Sequence, residues 1–281
     1  MSVIIPDSVE AAIAALAAHP GATVLAGGSD LMVEVNDGRR TLADVVSIGR
    51  IPELAGVRLD DDELVIGGAT TFARLERDPV AAYAPALAYA ARTVGSPQIR
   101  NAATLGGNLA TASPAGDSLP VLLALGASVV VAGAAGERRV PAAEFFIGPK
   151  RSVVQPGELV VAVHVPVRRG PQDYLKAGVR NAMVIAVASI AIAVDLDART
   201  VGIGLGSVGP VPLGAPDACE WIAGRARWRA DGLDVDERDV VDFGDRVARA
   251  ARPIDDHRST ADYRRHAVTV MARRALRRCV G

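Results

Sequence analysis

Three glycine pairs interrupt apolar sequence in this chain, and two of them run on into polar residues. Leu25-Ala26-Gly27-Gly28-Ser29-Asp30 continues the short strand-like run Thr23–Ala26, and Thr104-Leu105-Gly106-Gly107-Asn108 repeats the pattern about 75 residues later. Without a Cβ, paired glycines let the backbone turn within two residues and let amide N–H groups approach a bound anion closely. Each pair therefore reads either as a tight turn at a strand end or as half of a phosphate cradle. Ser29 would add a hydroxyl to such a cradle and Asn108 an amide. Two cradles would grip a dinucleotide from both sides, and Asp117, in the turn that follows, would face sugar or ribityl hydroxyls. Neither segment fits Gly-x-Gly-x-x-Gly, and no P-loop lysine follows, so the folds those signatures define are disfavoured. Gly67-Gly68, behind Leu64-Val65-Ile66, reads as a strand-end turn.

Around these loops the pattern is mixed. Asp7–His19 predicts a helix opened by a capping box of Asp7 and Glu10, with Val9, Ile13 and Leu16 on one face and a stop at Pro20-Gly21. With the strand Val45–Ile48 it makes an α/β-type unit before about residue 55. Hairpins follow at Val57–Ile66 and Val129–Pro141, helices at Thr71–Glu76, Ala81–Thr93 and Ser118–Leu125, and a strong strand at Leu159–Val165. Gly170-Pro171 joins two breakers and reads as a linker. Beyond it come strands at Ile185–Asp195 and Val201–Val208, then helices at Val240–Ala251 and Tyr263–Arg278. The last helix shows an apolar face of Tyr263, Ala267, Val270, Met271 and Ala275, and its arginine pairs read as a solvated face.

Composition narrows the chemistry. At 281 residues the chain has room for about two domains, and 50% of it is hydrophobic with only 4% aromatic, so its core is aliphatic. Basic and acidic residues number 31 and 32, a balance that gives no reason to expect nucleic acid as a partner. Cys219 and Cys279 are too few and too far apart for an internal iron–sulfur cluster. The four histidines lack ligand spacing, so no metal site is expected, and Asp255-Asp256-His257 reads as a cap or surface group. Met1–Pro6 has no basic run and no apolar stretch reaches spanning length, so neither a signal peptide nor a membrane span is expected and the protein reads as cytoplasmic.

AGGSDLM at Ala26–Met32, SPQIRNAATLGGNLATASPAGDSLP at Ser96–Pro120, YLKAGVRNAMVIAVAS at Tyr174–Ser189 and PIDDHRSTADYRRHAV at Pro253–Val268 together resemble the FAD-binding subunit of the molybdenum hydroxylases. That family includes xanthine dehydrogenase and the medium subunit of aerobic carbon monoxide dehydrogenase. The resemblance spans nearly the whole chain, and its finer features look most like bacterial xanthine dehydrogenases.

The resemblance implies an α+β fold with α/β-type elements. A PCMH-type FAD-binding domain would span 1–169, in subdomains of about 1–55 and 56–169, followed by a smaller α+β domain of carbon monoxide dehydrogenase flavoprotein type over 171–281. It implies FAD as cofactor, held by Leu25, Ala26, Gly27, Gly28, Ser29, Asp30, Leu31 and Met32 in one loop and by Thr104, Leu105, Gly106, Gly107 and Asn108 in the other. Asp117 is carried over as the acidic position, Val160 as an aliphatic contact and Lys176 as a lysine near the flavin. Some relatives place an aromatic ring where Val94 stands, so little stacking on the isoalloxazine is expected here.

The implied partners are a large molybdopterin-binding subunit and a small [2Fe-2S] subunit, assembled as a dimer of heterotrimers. Electrons would pass from the clusters to FAD and on to NAD+, a quinone or oxygen, and the large subunit would oxidise xanthine or another purine. Carbon monoxide, an aldehyde or an N-heteroaromatic are the alternative substrates, and a flavin-free assembly subunit is the alternative role. Because the redox chemistry belongs to the cofactor, no side chain is assigned as a catalytic acid or base.

Overall fold

The computed structural model describes residues 2–280; Met1 and Gly281, the outer limits of the two expected domains, lie outside the described residues. Three sheets organise the chain. The first is small and parallel, with Val45–Ser47 between Val3–Ile4 and Thr23–Leu25. The helix Val9–Ala18 buries Ala12 and Leu16 toward the core that contains Val46 and Ile48. Its cap is Ser8, whose hydroxyl accepts from Ala11 N at 3.1 Å, rather than the expected Asp7. The helix starts one residue later than the capping-box reading placed it, so Ser8 meets the amide of Ala11 where Asp7 would have met that of Glu10.

The second sheet is antiparallel and has five strands in the order Val57–Asp60, Glu63–Gly67, Leu159–Pro166, Ser128–Gly133, Gly136–Pro141. Its two expected hairpins are both present. One face packs against the helices Phe72–Leu75, Pro85–Arg92, Leu105–Thr111 and Ser118–Leu125, in a core filled by Ala, Val and Leu with Phe72, Phe145 and Tyr174.

The third sheet joins Gln172–Ala177, Ala188–Asp195, Thr200–Gly206 and Leu213–Gly214 in antiparallel order. Its second strand is buried on both faces. Ile190, Ile192 and Val194 meet the helices Pro216–Arg225, Glu237–Ala250 and Ala261–Arg278, while Ala191 and Ala193 join the core of the preceding domain. This alternation is the period-two geometry of a strand. The helix Ser118–Leu125 lies on that second face. A Cβ at Gly202 or Gly204 would overlap the carbonyl oxygens of Ala124 or Pro120, so the strand and helix backbones touch directly.

Several expectations change. The expected strand at 185–195 begins only at Ala188, and the one at 201–208 runs Thr200–Gly206. Gly170-Pro171 is not a free linker, because Leu196 N donates to Arg169 O and Val194 N to Pro171 O along the sheet edge. On the last helix Tyr263 is 54% exposed, while Arg264, read as solvated, is 4% exposed. The helices Leu31–Asn36, Pro97–Ala102 and Pro216–Arg225 and the strand Gln172–Ala177 had no counterpart in the sequence reading. Among the described residues no helix is long and apolar enough to cross a membrane.

Candidate functional site

Both glycine segments open onto one cleft of about 790 Å3, a size suited to a cofactor. Three parts of the chain build it. Residues 23–31 form one wall. The second comes from the helical region around 94–117 with the strand residues Leu159 and Val160, and the third from Met183, Val184, Ile185 and Arg258 of the C-terminal half.

The first segment is a loop leading into the Leu31–Asn36 helix. Among the described residues, the amide N–H groups of Gly27, Gly28, Ser29 and Asp30 donate to no protein acceptor. Gly27, Gly28 and Ser29 are half-buried and Asp30 is exposed, and four unpaired amides in succession beside a cleft make a donor set ready for an anion. Gly27 is fixed by contact, since a Cβ there would overlap the carbonyl oxygen of Ala102. Gly28 holds φ +69°, a left-handed conformation that only glycine adopts without cost.

The second segment was read as a loop, but it is the N-terminal turn of the Leu105–Thr111 helix, capped by Thr104. Its backbone amides from Leu105 to Asn108 are consumed. Leu105 N donates to Thr70 O at 3.0 Å, Gly106 N to Gly68 O at 2.8 Å, Gly107 N to Thr104 Oγ1 at 3.1 Å and Asn108 N to Thr104 O at 3.0 Å. Asn108 Oδ1 accepts from Ser118 Oγ at 2.7 Å. This segment therefore offers shape. A Cβ on Gly107 would meet only Thr104 Oγ1, at 2.9 Å, which leaves the position open toward a ligand. Gly106 is closed by the Gly68 carbonyl oxygen, 2.6 Å from where its Cβ would stand.

Asp117 sits at the edge of the cleft with its carboxylate committed inside the protein. Tyr174 Oη donates to Oδ1 at 2.7 Å and Lys176 Nζ to Oδ2 at 2.6 Å, and Lys176 also donates to Thr93 O at 3.2 Å. Asp117 and Lys176 are each 8% exposed. Burial pushes the Asp117 carboxyl above its ordinary value against the pull of the Lys176 ammonium. The Tyr174 hydroxyl is held well above its ordinary value by burial and by the Asp117 charge. The network joins the second wall to the third sheet. In place of a free carboxylate aimed at sugar hydroxyls, the structure has a buried three-residue tie.

Of the residues expected at the site, Leu25–Leu31, Thr104, Gly106, Gly107, Asn108, Asp117 and Val160 line the cleft. Met32, Leu105 and Lys176 do not: Leu105 is buried and Lys176 lies behind Asp117. Val94 lines it too, and Phe72 is the one aromatic side chain among the lining residues. The sequence reading missed Gly68, Tyr174, Met183, Ile185 and Arg258. The spacing Tyr174-x-Lys176 places both side chains on one strand face and would have revealed the tie to Asp117 had the strand been recognised. No local signal marks Arg258.

Residues 1–168 match the family described as FAD binding domain in molybdopterin dehydrogenase, and residues 173–279 match the CO dehydrogenase flavoprotein C-terminal domain. The chain is 31% identical to a glyceraldehyde dehydrogenase medium chain of Sulfolobus acidocaldarius over 96% of its length and 95% of the relative's. It is 31% identical to the carbon monoxide dehydrogenase medium chain of Afipia carboxidovorans, covering 97% and 94% of the two chains. With the xanthine dehydrogenase FAD-binding subunit of Escherichia coli O157:H7 it shares 29% identity over 96% and 92%. A crystal structure of the Cu,Mo-CO dehydrogenase in its cyanide-inactivated form contains a chain that superposes with a TM-score of 0.90 at 29% identity, over 99% of this chain and 98% of that one. The open amides of residues 27–30 and the space beside Gly107 suit a dinucleotide cofactor. The chain thus belongs to the FAD-binding medium subunits of the molybdenum hydroxylase family, oxidoreductase components whose cofactor is FAD.

Proposed function

We propose that this chain is the electron outlet of a molybdenum hydroxylase complex in the cytoplasm. It takes electrons from a small [2Fe-2S] subunit and passes them through FAD to NAD+, while a large molybdopterin-binding subunit oxidises xanthine. The observation that carries the reading is the run of open amides at Gly27–Asp30, residues that line a cleft to which three parts of the chain contribute. FAD supplies the ability to take up and release an electron pair.

The chain's own residues hold it. Amides 27–30 would meet the pyrophosphate, and the bare Gly107 backbone would let the cofactor lie close to the helix. Val94, Ile99, Val154, Val160 and Ile185 give the cleft apolar patches along its walls. Asp117, Tyr174 and Lys176 would fix the second and third walls relative to each other. No side chain of the chain needs to act as acid or base.

The two thiols fit a division of labour that places the metals in partner subunits. Burial pushes both Cys219 and Cys279 up to about 12, which keeps them protonated and poor ligands. A dimer of heterotrimers is the proposed assembly. Aldehyde or carbon monoxide in place of xanthine is the second reading, favoured by medium-chain relatives at similar identity. Purifying the native complex tests both. Flavin released on denaturation with turnover of xanthine and reduction of NAD+ supports the first, turnover of glyceraldehyde or carbon monoxide supports the second, and a complex that releases no flavin points to a flavin-free assembly subunit.

A further inference from the structure

Four carboxylates and three cations line the cleft, Asp30, Glu34, Asp117 and Glu158 against Arg40, Lys150 and Arg258, and Asp30 is exposed and makes no ion pair among the described residues. Asp117 is matched by Lys176 at 2.6 Å, and Glu158 pairs with Arg138 at 2.6 Å. Glu34 is met by Lys150 at 2.7 Å and by Arg40 at 3.7 Å, and Arg40 also donates to Thr23 Oγ1 at 3.3 Å. Arg258 differs. Among the described residues its guanidinium donates no hydrogen bond, and the carboxylate it faces, Asp256, stands 3.9 Å away. That contact is an ion pair to Asp256 Oδ2 beyond hydrogen-bond distance, while Oδ1 of the same carboxylate accepts from Arg264 Nη2 at 2.6 Å, from Arg258 N at 2.8 Å and from Ser259 N at 3.2 Å. A guanidinium carries five N–H donors in a planar fork, and here the fork borders a cleft with its donors unspent.

The segment that presents Arg258 is built to stay in place. Thr260 caps the Ala261–Arg278 helix through Tyr263 N, and Asp255 Oδ1 accepts from Ala261 N at 2.5 Å. Arg264 is the anchor. Its Nη1 donates to Val187 O at 3.1 Å and to Ser207 O at 2.7 Å, while Nη2 holds Asp256. One buried guanidinium thus ties together the chain just beyond Met183–Ile185, the end of the Thr200–Gly206 strand and the loop that carries Arg258. Both contributors to the third wall of the cleft are held by the same side chain.

We propose that Arg258 is a phosphate-recognition residue of the cleft, aimed by the Asp256–Arg264 pair at the diphosphate of a dinucleotide. The proposal rests on the reading of the cleft as an FAD site. The amides of residues 27–30 can donate hydrogen bonds without supplying a full positive charge, and the other cations that line the cleft, Arg40 and Lys150, both share Glu34 at shorter distance than Arg258 keeps from Asp256. A diphosphate carries two negative charges and four peripheral oxygens, and a guanidinium fork meets two of those oxygens at once. The diphosphate belongs either to FAD or to a nicotinamide dinucleotide accepting its electrons. The chemistry is the same in both cases and the sources are separable.

The test uses the full-length protein as purified, wild type and Arg258→Gln, with Arg258→Lys and the distant Arg249→Gln for comparison. FAD affinity is read from flavin fluorescence on dilution, NADH affinity from quenching on titration, and inorganic pyrophosphate is titrated calorimetrically into flavin-stripped protein. In Arg258→Gln, FAD or NADH is expected to bind about 10- to 100-fold more weakly, pyrophosphate to weaken with it, and the salt dependence of binding to flatten. Lysine restores part of the loss, because it returns the charge without the fork. Weaker FAD binding assigns Arg258 to the cofactor, and weaker NADH binding with FAD intact assigns it to the acceptor. Affinities within twofold of wild type for all three probes overturn the proposal. Wild-type protein that binds no FAD overturns the underlying reading instead, and the pyrophosphate titration still decides the role of Arg258. Arg258 is 36% exposed and bonds through its backbone, so an unchanged circular dichroism spectrum is expected and separates lost recognition from lost folding.

Discussion

The two glycine pairs look alike in sequence and do opposite work. At Gly27-Gly28 the glycines are demanded by the protein, one by contact with Ala102 and one by its left-handed φ, and the amides around them are left open. At Gly106-Gly107 the amides are closed by Thr70, Gly68 and Thr104, and what stays open is the space beside Gly107. One segment contributes donors and the other contributes room. A glycine pair next to an apolar run therefore says that backbone approaches something closely, but whether the neighbour is a ligand or another stretch of chain depends on where each amide points.

The sharpest way to break this contrast is Gly27→Ala. Even a methyl group would overlap the Ala102 carbonyl, and backbone on both sides has no rotamer to yield. We expect a loss of about 5 kcal/mol, with a fall in Tm of about 10–20 °C by calorimetry and loss of bound flavin as a consequence. A variant that melts like wild type would show that the loop has slack and that Gly27 serves the ligand alone.

Next in size is Lys176→Met, which acts behind the second segment. It leaves the Asp117 carboxylate buried without its cation, with the Tyr174 hydroxyl still donating to it. Removing one partner of a buried pair costs about 3–5 kcal/mol, so unfolding in urea should shift by about that amount. Asp117→Asn combined with Lys176→Met removes both charges and should recover much of the loss. If the double variant is no better than the single, the tie is not an ion pair in energetic terms.

Gly107→Val separates the two meanings of a glycine most directly. A Cβ there would stand 2.9 Å from the Thr104 hydroxyl that caps the helix, so the cost is that of displacing this cap, about 1 kcal/mol, partly offset by the better helix propensity of valine over glycine. The visible flavin absorbance of the purified protein should nevertheless disappear, because the branched side chain stands where the cofactor would approach. Full retention of flavin would mean that the cofactor does not lie against this turn.

How much of this was legible follows the range of the causes. The hairpins and the helix Ser118–Leu125, with Pro120 in its first turn, rest on neighbours within a few residues, and the sequence reading found them. Both glycine segments were found as well, because glycine is costly elsewhere and its placement is informative. Which amides stay open was not legible, since the acceptors of Leu105 N and Gly106 N lie on Thr70 and Gly68, more than thirty residues away. Arg264 shows the same limit. In a helix rich in arginine it looks like a surface residue, and its burial is set by Val187 and Ser207, 77 and 57 residues distant. The strand Gln172–Ala177 escaped because Tyr174 and Lys176, which share a face, are one aromatic and one cation, and no apolar alternation marks it.

The smallest expected effect lies where the two glycine regions meet. Glu34 belongs to the helix that follows the first segment, and Lys150, whose amide donates to Ala112 O at 3.0 Å at the end of the second segment's helix, reaches it with Nζ at 2.7 Å from Oε1. The hydrogen bond from Lys150 and its charge hold the Glu34 carboxyl below its ordinary value, with a further contribution from Arg40. A carboxyl whose pKa is lowered on folding binds fewer protons in the folded state. Its stabilisation is therefore present above the ordinary glutamate value and is lost as pH falls through the lowered one. Lys150→Ala should shift the urea midpoint slightly downward at neutral pH. That difference should shrink with added salt, as for any exposed pair, and close as the pH is taken below the carboxylate range. A difference that survives both high salt and low pH would show that Lys150 holds the two regions together by packing rather than by charge.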